Sequence, residues 1–268
     1  MDLLRRHRRV RAFAAALIVV AAGSAAAAGK ITPAQVNAAA RLAMLAERMA
    51  KVNAQLGREV LVSRSRRALA ESIAQFDRGL REVSAAAPTA EARENYRLLK
   101  RLWDEYRAAV LRSPSRENAL RISERSEEIV WIADKGTRML NEQSSSRASD
   151  LVLAAGVGRT AAQRLAKLYL QHGWAIPGPA PVARTTAAGR DVERALALLG
   201  KASETNEAIA LELPVAESQL AFLRSAAARL DAGEDRARQL EHIAKTADNI
   251  AEILERAARF YEALSPRD

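Results

Sequence analysis

Cationic side chains recur at helical spacing in two places, and their chemistry is the first to consider. In Val36–Gly57, reading VNAAARLAMLAERMAKVNAQLG, the residues Arg41, Met44, Arg48, Lys51 and Gln55 follow one another at steps of three and four. The passage returns 116 residues later as Val152–Gly173, VLAAGVGRTAAQRLAKLYLQHG, with Arg159, Arg164, Lys167 and Gln171. Nine of the 22 aligned positions are identical, among them Arg48/Arg164, Lys51/Lys167, Gln55/Gln171 and Gly57/Gly173. An arginine presents a planar fork of donors that suits a carboxylate or a small oxyanion, so a row of them beside a buried seam can cradle an anion. The same row can instead pair with carboxylates of a neighbouring helix and hold no ligand. Spacing alone leaves both readings open.

The seam follows from the same periodicity. Leu42, Leu45, Met49, Val52 and Leu56 form an apolar stripe on the first helix, turned about 100° from the cationic one. Thr32-Pro33-x-Gln35 supplies a cap, a proline at the first helical position and a capping-box partner, so this helix starts at Pro33 and runs to about Leu56. A second helix carries Val62, Leu69, Ile73, Phe76, Leu80 and Val83 and ends before Pro88; Thr89 caps a third; Ser113-Pro114 breaks it; a fourth runs through Ile122, Ile129, Ile132 and Leu140 and stops near Ser144-Ser145-Ser146.

The plan then repeats. One helix covers roughly Ser149 to Gly173, followed by a loop with Pro177, Gly178, Pro179 and Pro181. Val192, Leu196, Leu199 and Ile209 mark the next, Pro214 opens another that ends at Gly233, and Leu240 to Leu264 forms the last. Hydrophobic residues make up 49% of the chain and aromatics 4%, so the core is built from Ala, Leu, Ile and Val. The fold class is therefore all-α, two tandem antiparallel four-helix bundles over residues 30–143 and 147–265.

Residues 1–28 are read as an export signal: Arg5, Arg6, Arg8, Arg9 and Arg11 precede the apolar run Ala12–Ala22, and Ala26-Ala27-Ala28 offers a cleavage site. The alternative is an N-terminal inner-membrane anchor, against which the run is Ala-rich and shorter than the roughly 20 apolar residues of a spanning helix. Loss of this segment, with its five arginines and Asp2, lowers the formal charge from +10 to +6. The remaining surplus favours anionic partners, and export makes nucleic acid an unexpected one. The absence of cysteine excludes disulfides, a catalytic thiol and thiolate metal sites.

The repeated residues also resemble a known family. Arg41-x-x-Met44-Leu45-x-Glu47-Arg48-Met49-Ala50-Lys51 and Ala155-Gly156-x-x-Arg159-x-x-x-Gln163-Arg164-Leu165-Ala166-Lys167 are similar to the signature of the PilJ-type domain, approximately A-G-R-Q-R-M-L-S-Q-R-M-A-K. That is the periplasmic N-terminal domain of type IV pili methyl-accepting chemotaxis transducers, itself similar to the sensor domain of nitrate/nitrite kinases. The resemblance spans both sets of helices. It implies a periplasmic helical sensor bundle with a small anion held by arginines of the first helix. The family's two early arginines fall at Arg41 and Ala43 in the first copy and at Val157 and Arg159 in the second, so each copy keeps one.

Other chemistry is not apparent. His7, His172 and His242 are scattered, Gly156-x-Gly158 lacks a third glycine and a preceding strand, and no Ser sits in a nucleophile elbow. Trp103, Trp131 and Trp174 are expected in the core or an interface. Glu127-Glu128 and Asp248 fall at equivalent places in the two fourth helices, a weak basis for catalysis. The reading is thus a non-enzymatic, periplasmic sensor-like protein without a cofactor. Its ligand contacts are Arg41, Arg48, Lys51, Arg159, Arg164 and Lys167. With no signalling domain after Asp268, it is expected to relay binding through a membrane sensor or a chemotaxis or pilus component. The alternative is a helical interaction or scaffold module without a small ligand, including a homodimer.

Overall fold

The computed structural model describes residues 30–176 and 181–264. These form eight α-helices: α1 Pro33–Gly57, α2 Val62–Ala86, α3 Ala90–Val110, α4 Arg116–Ser144, α5 Arg147–His172, α6 Pro181–Gly200, α7 Glu207–Asp231 and α8 Arg236–Ala263. Residues 1–28, read as an export signal, lie outside the described residues, as do Pro177, Gly178 and Pro179 of the expected loop.

Local chemistry sets the helix starts. The capping box forms as read, with Thr32 Oγ1 accepting from Gln35 N and Gln35 Oε1 accepting from Thr32 N at 2.9 Å. Thr89, Ser115, Ser146 and Asn206 cap α3, α4, α5 and α7 through their side chains. Two boundaries differ from expectation. Because Ser146 is the cap, α5 begins before Ser149. Because Asn206 caps α7 by accepting from Ile209 N at 2.9 Å, Ile209 belongs to α7 and Pro214 lies inside that helix instead of opening it.

The fold is organised around α1 and α5, which run parallel, with residue i of α1 facing residue i + 116 of α5. Ala40 meets Gly156, where a Cβ would come within 2.6 Å of the Ala40 Cβ, and Gly57 accommodates the ring of Trp174. An approximate twofold axis therefore runs between the two copies of the repeated passage. The flanking contacts obey it: α2 and α4 pack on α1 as α6 and α8 pack on α5, and α3 covers α4 as α7 covers α8. The apolar stripes of both sets merge in one core that includes Leu42, Leu45, Met49, Leu165, Ile129 and Ile250. In the first set, Phe76 stacks on Trp103 with ring centroids 4.0 Å apart, and Trp103 Nε1 donates to Asp77 Oδ1 at 2.7 Å. Trp131 lies on the outer face of α4, 66% exposed, so of its two expected places it does not take the core.

The contact at Gly156 carries a prediction. Both partners are helix backbone-proximal, so neither can rotate away. Gly156→Ala is expected to lower the unfolding free energy by about 1–3 kcal/mol despite the better helix propensity of Ala. Urea unfolding checks this, and a stabilised variant would contradict the close α1–α5 approach.

Candidate functional site

The cationic rows of α1 and α5 come together along the twofold axis, and most of their charge is already answered. Lys167 is fully buried, with Nζ 2.7 Å from Glu127 Oε1 and 2.8 Å from Glu47 Oε2. Arg164 Nε donates to Glu47 Oε1 at 2.9 Å. Lys51, equally buried, donates to Asp248 Oδ1 at 2.5 Å. Arg41 and Arg159 both reach Glu255, and Arg159 also donates to Asn37. The pairs Lys51–Asp248 and Lys167–Glu127 are related by the twofold axis, so the two carboxylate positions noticed on the fourth helices serve as counterions.

Electrostatics follow from burial. Burial pulls the Lys51 ammonium below its ordinary value against the opposing pull of Asp248. Burial opposes ionisation of Asp248 and Glu127, but Lys51 for the first, and Lys167 and Arg164 for the second, outweigh it and hold both below the usual carboxylate range. Glu47 raises the Arg164 guanidinium above its ordinary value. At Asp134 burial prevails: it pushes the carboxyl up to about 6, with Arg164 and Arg138 opposing and Glu47 adding to the rise.

Arg48 is the exception. It forms no ion pair among the described residues, and its Nε is buried without a hydrogen-bond partner. The cause is one exchange in the repeat. Across the twofold axis, Arg164 finds Glu47; the position equivalent to Glu47 in the second copy is Gln163, which is neutral. Gln163 donates through Nε2 to Asp248 Oδ1 at 3.2 Å and to Ala247 O at 3.4 Å, and its Oε1 is buried and unpartnered.

Beside Arg48 the helices part to leave a half-open hollow of about 360 Å³, within the size range of small-molecule sites. Arg41 and Arg48 of α1, Gln75 and Arg78 of α2, Arg159 and Gln163 of α5, and Asp248, Glu252 and Glu255 of α8 line it. Of the six cations read from the sequence, the hollow gathers Arg41, Arg48 and Arg159; Lys51, Arg164 and Lys167 are not among its lining residues. Gln163 was not singled out from the sequence. The signal was present, as the Glu47/Gln163 difference within an otherwise matched stretch, but its meaning depends on knowing that the two copies face each other.

Among the described residues no cluster of His, Cys, Asp or Glu could hold a metal ion, and no helix is long and apolar enough to cross a membrane. No curated protein and no solved structure matches the chain. Residues 30–126, which comprise α1, α2, α3 and the first part of α4, match the family model described as PilJ, Type IV pili methyl-accepting chemotaxis transducer N-term, so this part of the all-helical chain is similar to that family.

Proposed function

We propose that the chain is an exported, periplasmic sensor-like protein, built of two PilJ-like units over residues 30–143 and 147–265. It binds a small ligand through an anionic group at Arg48 and relays the event through a membrane sensor or a chemotaxis or pilus component. The observation that carries this reading is the unpaired Arg48 on the wall of a hollow, in a layer where the neighbouring cations are matched to carboxylates. A guanidinium without a counterion gains more from an incoming oxyanion than one already paired. Because the hollow is walled by α1, α2, α5 and α8, a bound ligand makes contacts that favour one packing of α1 on α5 over others, and such a differential affinity is what a relay requires.

Thermal unfolding of the purified protein against a panel of small anions and carboxylates tests this. A true ligand at a hundredfold excess over its Kd should raise Tm by about 5 °C or more, and Arg48→Gln should abolish the shift. A panel without effect, or a shift that survives Arg48→Gln, overturns the proposal.

A second reading, an interaction or scaffold module, is favoured by α7. Leu211, Val215 and Phe222 are 69%, 49% and 64% exposed and share one helical face, an apolar stripe suited to a partner helix or a second copy. Light scattering on wild type and on Phe222→Glu separates the two: a dimer dissolved by that substitution supports the second reading.

A further inference from the structure

The outer face of α7 carries a pattern beyond its three large apolar residues. Glu207, Leu211, Val215, Ser218, Phe222 and Arg229 follow one another at steps of three, four and seven and are all exposed, so they form one line along the outside of the helix. The internal repeat supplies a comparison. α3 holds the equivalent outer place, covering α4 as α7 covers α8. Its exposed side chains include Glu94, Arg97, Lys100, Arg101, Asp104 and Glu105, and its large apolar residues all lie buried or half-buried. Two helices of equal standing at the surface of one fold thus present opposite faces to solvent. Covering an apolar line removes its area from water, so α7 is the one built to be covered.

The charges at the ends of the line say by what. Glu207 and Arg229 stand eleven residues before and eleven after Ser218, each about 16 Å from it along the helix. Neither forms an ion pair among the described residues, whereas Glu212 and Arg224 on the flanks are already paired with Arg256 and Glu193. A second α7 laid antiparallel about a twofold axis at Ser218 brings Glu207 opposite the partner's Arg229 at both ends and sets Val215 beside the partner's Phe222. A parallel α7 would instead set like charge on like at both ends, which opposes association. At the axis Ser218 is small, and its hydroxyl already donates to the Pro214 carbonyl at 3.0 Å, so its burial leaves no donor without a partner.

We infer, building on the second reading of α7 as an interaction face, that this face is covered by α7 of a second copy of the chain, antiparallel and centred on Ser218. The contact is isologous: one patch serves both copies, its acidic end answers its basic end, and the pair closes on itself. The 25 residues of α7 give it a seam of roughly 37 Å.

The chain has no cysteine, so single thiols can be placed on α7 without interference. The purified full chain should be a dimer by light scattering. With a short bifunctional thiol reagent, Ser218→Cys should link to itself, whereas Glu207→Cys and Arg229→Cys should link only when the two variants are mixed. Glu207→Lys should weaken the dimer about tenfold, because both ends then repel, and adding Arg229→Glu to it should restore the affinity. The linking patterns hold even if a charge-reversed variant fails to fold. Self-linking of Glu207→Cys and of Arg229→Cys shows a parallel pair and overturns the inference, while α7 remains an interaction face. A chain that is monomeric at every concentration tested also overturns it and leaves α7 to a partner of another kind. A dimer that survives Phe222→Glu and leaves Ser218→Cys unlinked overturns both the inference and the reading on which it builds.

Discussion

Glu47→Gln is expected to lower the unfolding free energy by about 3–5 kcal/mol, the range for removing one partner of a buried ion pair. The substitution is nearly isosteric, so packing is preserved and the loss reports charge. Glu47 is fully buried, accepts from Arg164 Nε at 2.9 Å and pairs by charge with Lys167 Nζ 2.8 Å away, and the Lys167 side chain has no exposed surface. Without Glu47, Lys167 keeps Glu127 at 2.7 Å and Ser126 Oγ at 3.1 Å, which places the effect nearer the lower end. Urea unfolding at neutral pH measures it. The double variant Glu47→Gln with Lys167→Met should recover part of the loss, since no buried ammonium is then left short of a counterion. A single-variant cost below about 1 kcal/mol, the size typical of surface pairs, would show that the layer is solvated.

Asp134→Asn is expected to act in the opposite direction. A carboxyl held at about 6 in the folded chain, against an ordinary 3.8, costs the folded state about 3 kcal/mol once it is ionised in both states. The cost is present above pH 6 and fades as pH falls toward 4, where the folded state takes up its proton first. Asn carries no charge to desolvate, so the variant should be about 2–3 kcal/mol more stable than wild type near pH 8 and no more stable near pH 4. Glu127 and Asp248 have the reverse sign: their lowered values contribute stability above the usual carboxylate range that is lost as pH falls through it. Denaturant unfolding of both proteins across pH 4–8 checks the argument, and a difference that does not change with pH would refute it.

The helices were legible from local chemistry. Capping residues, prolines and the three-four recurrence of apolar positions act within one or two turns, so Thr32, Thr89 and the Leu240–Leu264 stripe identified α1, α3 and α8 without knowledge of their neighbours. The repeat itself, with its matched Arg and Lys positions, was equally plain. Pro214 does not open α7 because the cap eight residues upstream already starts the helix, and helix packing tolerates the missing donor. Trp131 stays out of the core because a large apolar residue is not obliged to be buried.

The site was only half legible. The sequence by itself determined that cations would line the edge of two equivalent helices, because a 3.6-residue period places them there whatever those helices touch. Tertiary structure decided which of the cations would be neutralised. The parallel, in-register packing of α1 on α5 depends on small residues such as Ala40 and Gly156 meeting face to face, and only that register sets Glu47 against Arg164 and Gln163 on the wall of the hollow with Arg48. Periodicity describes one helix at a time, whereas ion pairing depends on the relative rotation and register of two, and these are settled by packing.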